Sequence, residues 1–233
     1  MKLSYKIFKF FSFILIHILI FIQFSIEIEK SSNIFNNKSD LNNKHNAIIE
    51  IINNKDFIIK SKNINLHYYN QTDIRWANKI YGEDDIISIY GCGPTVLSMI
   101  VSSMTNDNIT PDKMAEWSYL NGYFCNNSGS YHSIIPLGLS QWGLNIKPML
   151  DYSKQNLLNT ISNGNIIVAL MGNGHFTQTG HFIIIRDISE NSKLLIADPL
   201  SLENSLIEWE PEIILNEAKY SASNDGPFWI ISK

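Results

Sequence analysis

The hydrophobic pattern changes character twice along the chain. Residues 1–26 place Lys2, Lys6 and Lys9 ahead of an apolar run from Phe10 to Phe24, interrupted only by Ser12, His17 and Gln23. Residues 27–63 are dominated by Asn, Lys, Ser and Glu, with one apolar patch from Ile48 to Ile52, and read as a low-order tether. Residues 64–233 alternate apolar segments with turn residues and read as one folded domain.

Inside that domain the period of the pattern shifts. Leu66 to Gln71 is strand-like, Thr72 to Ala77 reads as a turn into a short helix, and Ile86 to Tyr90 is an apolar stretch. From Pro94 to Met104 the residues Val96, Leu97, Ile100, Val101 and Met104 recur at helical spacing, which predicts a buried helix beginning at Cys92. Thr110-Pro111-Asp112 predicts a second helix, with a capping hydroxyl and proline at its first position, ending near Gly122. Ser133 to Trp142 and Lys154 to Ile161 read as two more, the last capped by Ser153. Beyond them the period becomes that of strands: Ile166–Met171, His181–Ile188, Lys193–Ala197, Ile207–Trp209 and Phe228–Ile231. Helices first and strands second predict an α+β domain, a helical half packed on a C-terminal antiparallel sheet.

Composition changes this picture little. The chain of 233 residues is 45% hydrophobic and carries a net charge of −4, so no basic field points to nucleic acid. The N-terminus adds a compartment. A basic flank before an apolar core is a secretion signal or an uncleaved membrane anchor, reaching a marginal span if residues 7–26 are all counted. In either case the lysines stay cytoplasmic and the domain is expected outside the membrane, secreted or anchored.

Candidate chemistry centres on Gly91-Cys92-Gly93-Pro94-Thr95. A thiolate is the reactive form of cysteine, and a helix N-terminus lowers the thiol pKa while leaving backbone N–H groups for a developing oxyanion. The competing reading is a disulfide with Cys125, the other cysteine. A general base has two candidates in Gly174-His175-Phe176-Thr177-Gln178-Thr179-Gly180-His181-Phe182. If Ser189-Glu190-Asn191-Ser192 is a hairpin turn, Ile188 pairs with Lys193 and Ile183 falls opposite Asp198. His181 and Asp198 then become diagonal neighbours, which favours His181 as base over His175. Alone, Asp198-Pro199 reads as a turn and Gln71 as an ordinary polar turn residue. His132 reads as a capping or packing residue at a helix start, with cleft lining as the alternative, and the tryptophans Trp76, Trp117 and Trp142 read as core. No cofactor and no metal site is expected.

Asn70-Gln71 with Asp73 and Arg75-Trp76-Ala77, then Tyr90 to Thr95, Thr110-Pro111, Trp117, Asn121-Gly122-Tyr123 and Gly129-Ser130, followed by Gly180-His181-Phe182 and Ile196-Ala197-Asp198-Pro199, resemble the C39-like cysteine peptidases. The resemblance covers roughly Asn63 to the C-terminus. It implies a papain-like fold, Cys92 as nucleophile, His181 as base, Asp198 as the acid that orients it, and Gln71 in the oxyanion hole. It also implies a peptide or protein substrate, cleaved through a thioester. A cell-wall peptide amidase or endopeptidase and a non-catalytic binding module are the alternatives on the same fold. Cys125 departs from the family pattern, and the domain is expected to stand alone, without a transporter module.

Overall fold

The structure, a computed structural model, describes residues 57–233. The apolar segment at 1–26 and residues 27–56 of the expected tether lie outside the described residues. The last part of that tether range is a strand: β1 (Phe57–Lys60) pairs antiparallel with β2 (Asn65–Tyr68). It forms because Ile59 is buried and because Asp187 and Ile161 accept hydrogen bonds from the connecting loop at Lys62 and Asn63.

Thr72 to Ala77 forms turns rather than the expected helix: Asp73 accepts from the Trp76 and Ala77 backbone and its side chain takes the Arg75 N–H. A small ladder, β3 (Ile80–Tyr81) with β4 (Asp85–Ile86), leads into α1 (Ile87–Tyr90) and then α2 (Cys92–Met104). The next helix is α3 (Pro111–Leu120). The Thr110 hydroxyl does not cap it as expected, because it donates instead to Asp112 at 2.6 Å. β5 (Phe124–Cys125) and β6 (Gly129–Ser130) form a tight hairpin. The expected helix from Ser133 is broken into a 3-10 turn, His132–Ile134, and α4 (Pro136–Ser140), since Pro136 has no N–H to continue a helix across it. Ser153 does cap α5 (Lys154–Ser162), accepting from Asn156 N–H at 3.2 Å.

The main sheet has six antiparallel strands. Besides β7 (Asn145–Pro148) they are β8 (Ile166–Met171), β9 (His181–Ile188), β10 (Leu194–Ala197), β11 (Glu208–Trp209) and β12 (Phe228–Ser232), in the order β11-β10-β9-β8-β12-β7. One edge strand, β7, comes from the helical half, so the division into helices first and strands second is incomplete. Two short helices, α6 (Leu202–Leu206) and α7 (Pro211–Glu217), fill the connections after β10. Every residue of β8 is buried, and β9 is buried as far as Asp187, which is why both read as unbroken apolar runs rather than alternating ones. Ile167, Ala169, Ile183 and Ile185 form a core with Leu157 and Ile161 of α5 and Ile214 of α7. The long helix α2, with Val96, Leu97, Met99, Ile100 and Val101 fully buried, packs on β9 and β2.

The β9–β10 hairpin bears directly on the site. Its turn is a residue longer than the sequence count assumes: the Ser189 N–H donates to Lys193 O, Ser192 has φ of 59°, and Ile188 lies opposite Leu194. A bulge at Arg186 then shifts the register back, so that Ile185 faces Ile196 and Ile184 faces Ala197. At the Asp198 end the ladder therefore has the register that the count requires.

Candidate active site

Gly91 ends α1 and caps α2, which puts Cys92 on the first turn of a thirteen-residue helix. The first N–H groups of a helix have no intrahelical acceptor, so this end presents free donors and the positive pole of the helix dipole. The surroundings leave no room for a larger neighbour. A Cβ at Gly93 would stand 2.6 Å from the Ser130 hydroxyl, and Gly129, at φ +83°, turns the β5–β6 hairpin close against Tyr90. Ser130 is itself held by the Tyr81 hydroxyl at 2.6 Å. The helix start is thus pressed against the β5–β6 hairpin, with Cys92 half-buried and not disulfide-bonded; Cys125 is free as well.

His181 opens β9 and its ring is almost fully buried. Its Nε2 meets Asp198 Oδ1 at 2.7 Å. With Nε2 taken, Nδ1 is the ring nitrogen left to face the Cys92 thiol, whose electrostatics are coupled to the ring. The carboxylate has little freedom. Asp198 Oδ1 also accepts the Leu200 N–H at 2.8 Å, Oδ2 accepts from Asn204 Nδ2 at 2.8 Å, the backbone N–H donates to the Ser205 hydroxyl, and the carbonyl accepts from Tyr68 OH. Such a carboxylate fixes both the orientation and the tautomer of the imidazole.

The electrostatics follow from this chain of contacts. Burial pushes the Cys92 thiol up, but the hydrogen bond and positive charge of His181, aided by the backbone N–H groups of Phe182 and Gly93, bring it below its ordinary value. Burial pulls His181 down, and the Asp198 carboxylate together with the thiolate more than reverse that, raising the imidazole to about 9. The two shifts have opposite sign and a shared cause, each group stabilising the charged form of the other. Both shifts favour the charged forms, thiolate on Cys92 and imidazolium on His181.

Cys92 lines a cavity of about 440 Å³, bounded also by Ser130, His132, Leu170, Phe182 and Lys219. No group of His, Cys, Asp and Glu suited to a metal ion occurs among the described residues.

A sequence model of the Peptidase_C39 like family matches residues 63–223. The chain belongs to that family. Among solved structures, the C39-like domain is similar to a protein of Bacillus anthracis described as a C39-like peptidase, at 16% identity and a TM-score of 0.41, covering 62% of this chain and 89% of that one. No curated protein matches the chain. Membership points to the hydrolase chemistry of a cysteine peptidase. No helix of the described residues is long and apolar enough to cross a membrane.

Of the residues singled out in the sequence, the C39-like domain hydrogen-bonds His181 to Asp198 and sets the Cys92 thiol close enough to His181 for the two to be electrostatically coupled. Gln71 is fully buried near them but is spent differently from the expectation: its Nε2 donates to Ser88 O at 3.0 Å and Ile87 O at 3.4 Å, while Oε1 has no partner among the described residues. It is not among the side chains lining the cavity. His175 lies on Glu217, which takes both its ring Nδ1 and its backbone N–H. His132 packs edge-on to Phe182 and also lines the cavity. Sequence reasoning misses Tyr68, Asn204 and Ser205, which hold Asp198. Ser201 to Ser205 carries a readable signal, since a serine three residues ahead of an asparagine caps the short helix α6 that delivers them.

Proposed function

We propose that this domain hydrolyses peptide bonds on the outer side of a membrane, with Cys92 as nucleophile, His181 as acid and base, and Asp198 as the group that orients His181. In this reading the Cys92 thiolate attacks the scissile carbonyl carbon and the carbonyl oxygen becomes an oxyanion. The Cys92 backbone N–H stabilises that oxyanion, joined by the Gln71 amide once it gives up the long bond to Ile87. His181 passes its proton to the leaving amine as the C–N bond breaks, leaving a thioester on Cys92. Water then adds to the thioester while His181 takes its proton, and the free acid departs with the thiol restored. The papain-like arrangement belongs to this reading too. Its support is the buried 2.7 Å bond between Asp198 and His181 Nε2, with the Cys92 thiol electrostatically coupled to the same ring. Export is supported by the basic flank and apolar run of residues 1–26.

The test is a digest of denatured protein substrates by the full chain, run beside labelling with a thiol-directed epoxide. Hydrolysis and labelling are both expected to vanish in Cys92→Ala. Hydrolysis that survives this substitution, or labelling confined to Cys125, overturns the assignment.

A further inference from the structure

The cavity that contains Cys92 also carries a cation with no carboxylate on its walls. Lys219 sits on a strap pinned to the end of β8: its N–H donates to Leu170 O at 2.9 Å, Ala218 bridges Met171, and the Gly172 N–H donates to Glu217 O at 2.6 Å. The ammonium donates to Thr179 O at 3.0 Å and lies 3.1 Å from where a Cβ on Gly180 would stand. It is thereby fixed against the two residues immediately before His181. The adjacent carboxylate, Glu217, is turned away onto His175, and no Asp or Glu lines the cavity. Among the described residues no carboxylate pairs with Lys219.

The imidazole of His132 stands close by. Its Nδ1 accepts the Ser223 N–H at 3.0 Å, so the neutral ring carries its proton on Nε2. Burial and the Lys219 charge both hold it in that neutral form. One wall of the cavity therefore offers an ammonium and a ring bearing an N–H donor, with no carboxylate in the lining to occupy them. We propose that Lys219 forms an anion-accepting subsite of the Cys92 cleft, which selects substrates carrying a carboxylate beside the scissile bond. The carboxylate is an acidic side chain or the C-terminus of the peptide. This rests on the peptidase reading above for the substrate, though not for the site.

Two measurements keep the site and the reaction apart. The first compares alkylation of Cys92 by iodoacetate and by iodoacetamide, which differ in charge and need no peptidase activity. A unit charge held in a partly buried cleft is expected to alter the ratio of the two rates by about three- to tenfold. The ratio should fall by that factor in Lys219→Met, fall further in Lys219→Glu, and be restored in Lys219→Arg. A ratio that is the same in Lys219→Met and Lys219→Glu as in the wild type overturns the subsite, whatever the chain does to peptides. The second is cleavage profiling on a peptide library with free and with amidated C-termini. Enrichment of Asp or Glu around the cut that survives amidation identifies a side chain; enrichment of cuts near the terminus that amidation removes identifies the terminal carboxylate. Cleavage with neither preference also overturns the proposal, whereas absence of cleavage with the alkylation ratio intact overturns the peptidase reading alone.

Discussion

Two histidines six residues apart in the sequence each bind a carboxylate, and the two pairs lie in opposite surroundings. His181 and Asp198 leave 3% and 1% of their side chains exposed, whereas His175 and Glu217 leave 57% and 15%. The exposed pair fastens a loop: Glu217 takes both the ring and the backbone N–H of His175, and water and salt screen whatever charge is left. The buried pair is out of water with a thiol beside it, so His181 is raised by Asp198 and Cys92, and Cys92 is lowered by His181. Contact between a histidine and a carboxylate is thus a weak mark of a catalytic site. Desolvation and a third group in line are the marks that discriminate.

The largest effect that tests this contrast is in the histidines themselves. His181→Ala should lower kcat/KM for peptide hydrolysis by about 10³- to 10⁴-fold, the upper part of the range for a lost acid-base group. His175→Ala should stay within about twofold, as for an ordinary surface change. Steady-state kinetics on any peptide substrate found by profiling decides between them, and the reverse order of losses would move the base into the loop.

A smaller and more specific effect concerns Asp198. In the wild type, activity should rise with pH through the lowered thiol pKa and fall as pH passes about 9, where the imidazolium loses its proton. The sign follows from the shifts: lowering the thiol extends the thiolate to lower pH, and raising the imidazole extends the imidazolium to higher pH. Asp198→Asn keeps the shape and removes the charge, so only Cys92 is left to oppose burial at His181 and the alkaline limb should retreat below 9. The maximum rate should drop by about ten- to a hundredfold. An alkaline limb that stays near 9 in this variant would mean that the thiolate alone holds the proton on the ring.

The difference between the two pairs is partly legible in the sequence. The helix at Cys92 is visible there because Val96, Leu97, Ile100 and Val101 repeat with helical period, and β8 and β9 because continuous β-branched runs need cover on both faces. Choosing His181 over His175 rests on a hairpin count that is a residue short at the turn and right at the site. The longer turn displaces the strands by one residue, and the bulge at Arg186 moves them back. That compensation is tertiary. The buried Arg186 side chain donates to Ile196 O and Ser205 O, and the neighbouring Asp187 takes the backbone of Lys62 and Asn63 from the β1–β2 loop. No local pattern announces it. The surroundings of Gln71 are hidden for a similar reason, because its partners are carbonyls of α1 sixteen and seventeen residues away. The helix broken at Pro136 is, by contrast, readable from the proline itself.

The smallest effect sharpens the contrast from the other side. Glu217→Ala removes the acceptor of both the ring and the backbone N–H of His175, and the exposed His175 groups turn to water. The expected cost is about 1 kcal/mol, which for a domain of this size lowers the melting temperature by about 2–4 °C. Activity should change by no more than about twofold, because the Asp198 contacts on the buried pair are untouched. With the Glu217 charge gone, the field at the neighbouring Lys219 becomes more positive, so any change should favour peptides that carry a carboxylate. Thermal denaturation and kinetics on matched acidic and amidated peptides measure both quantities. A loss of activity comparable to that of Asp198→Asn would show that the loop clamp sets the geometry of the thiol and imidazole as much as the buried carboxylate does, and the division drawn between the two pairs would then fail.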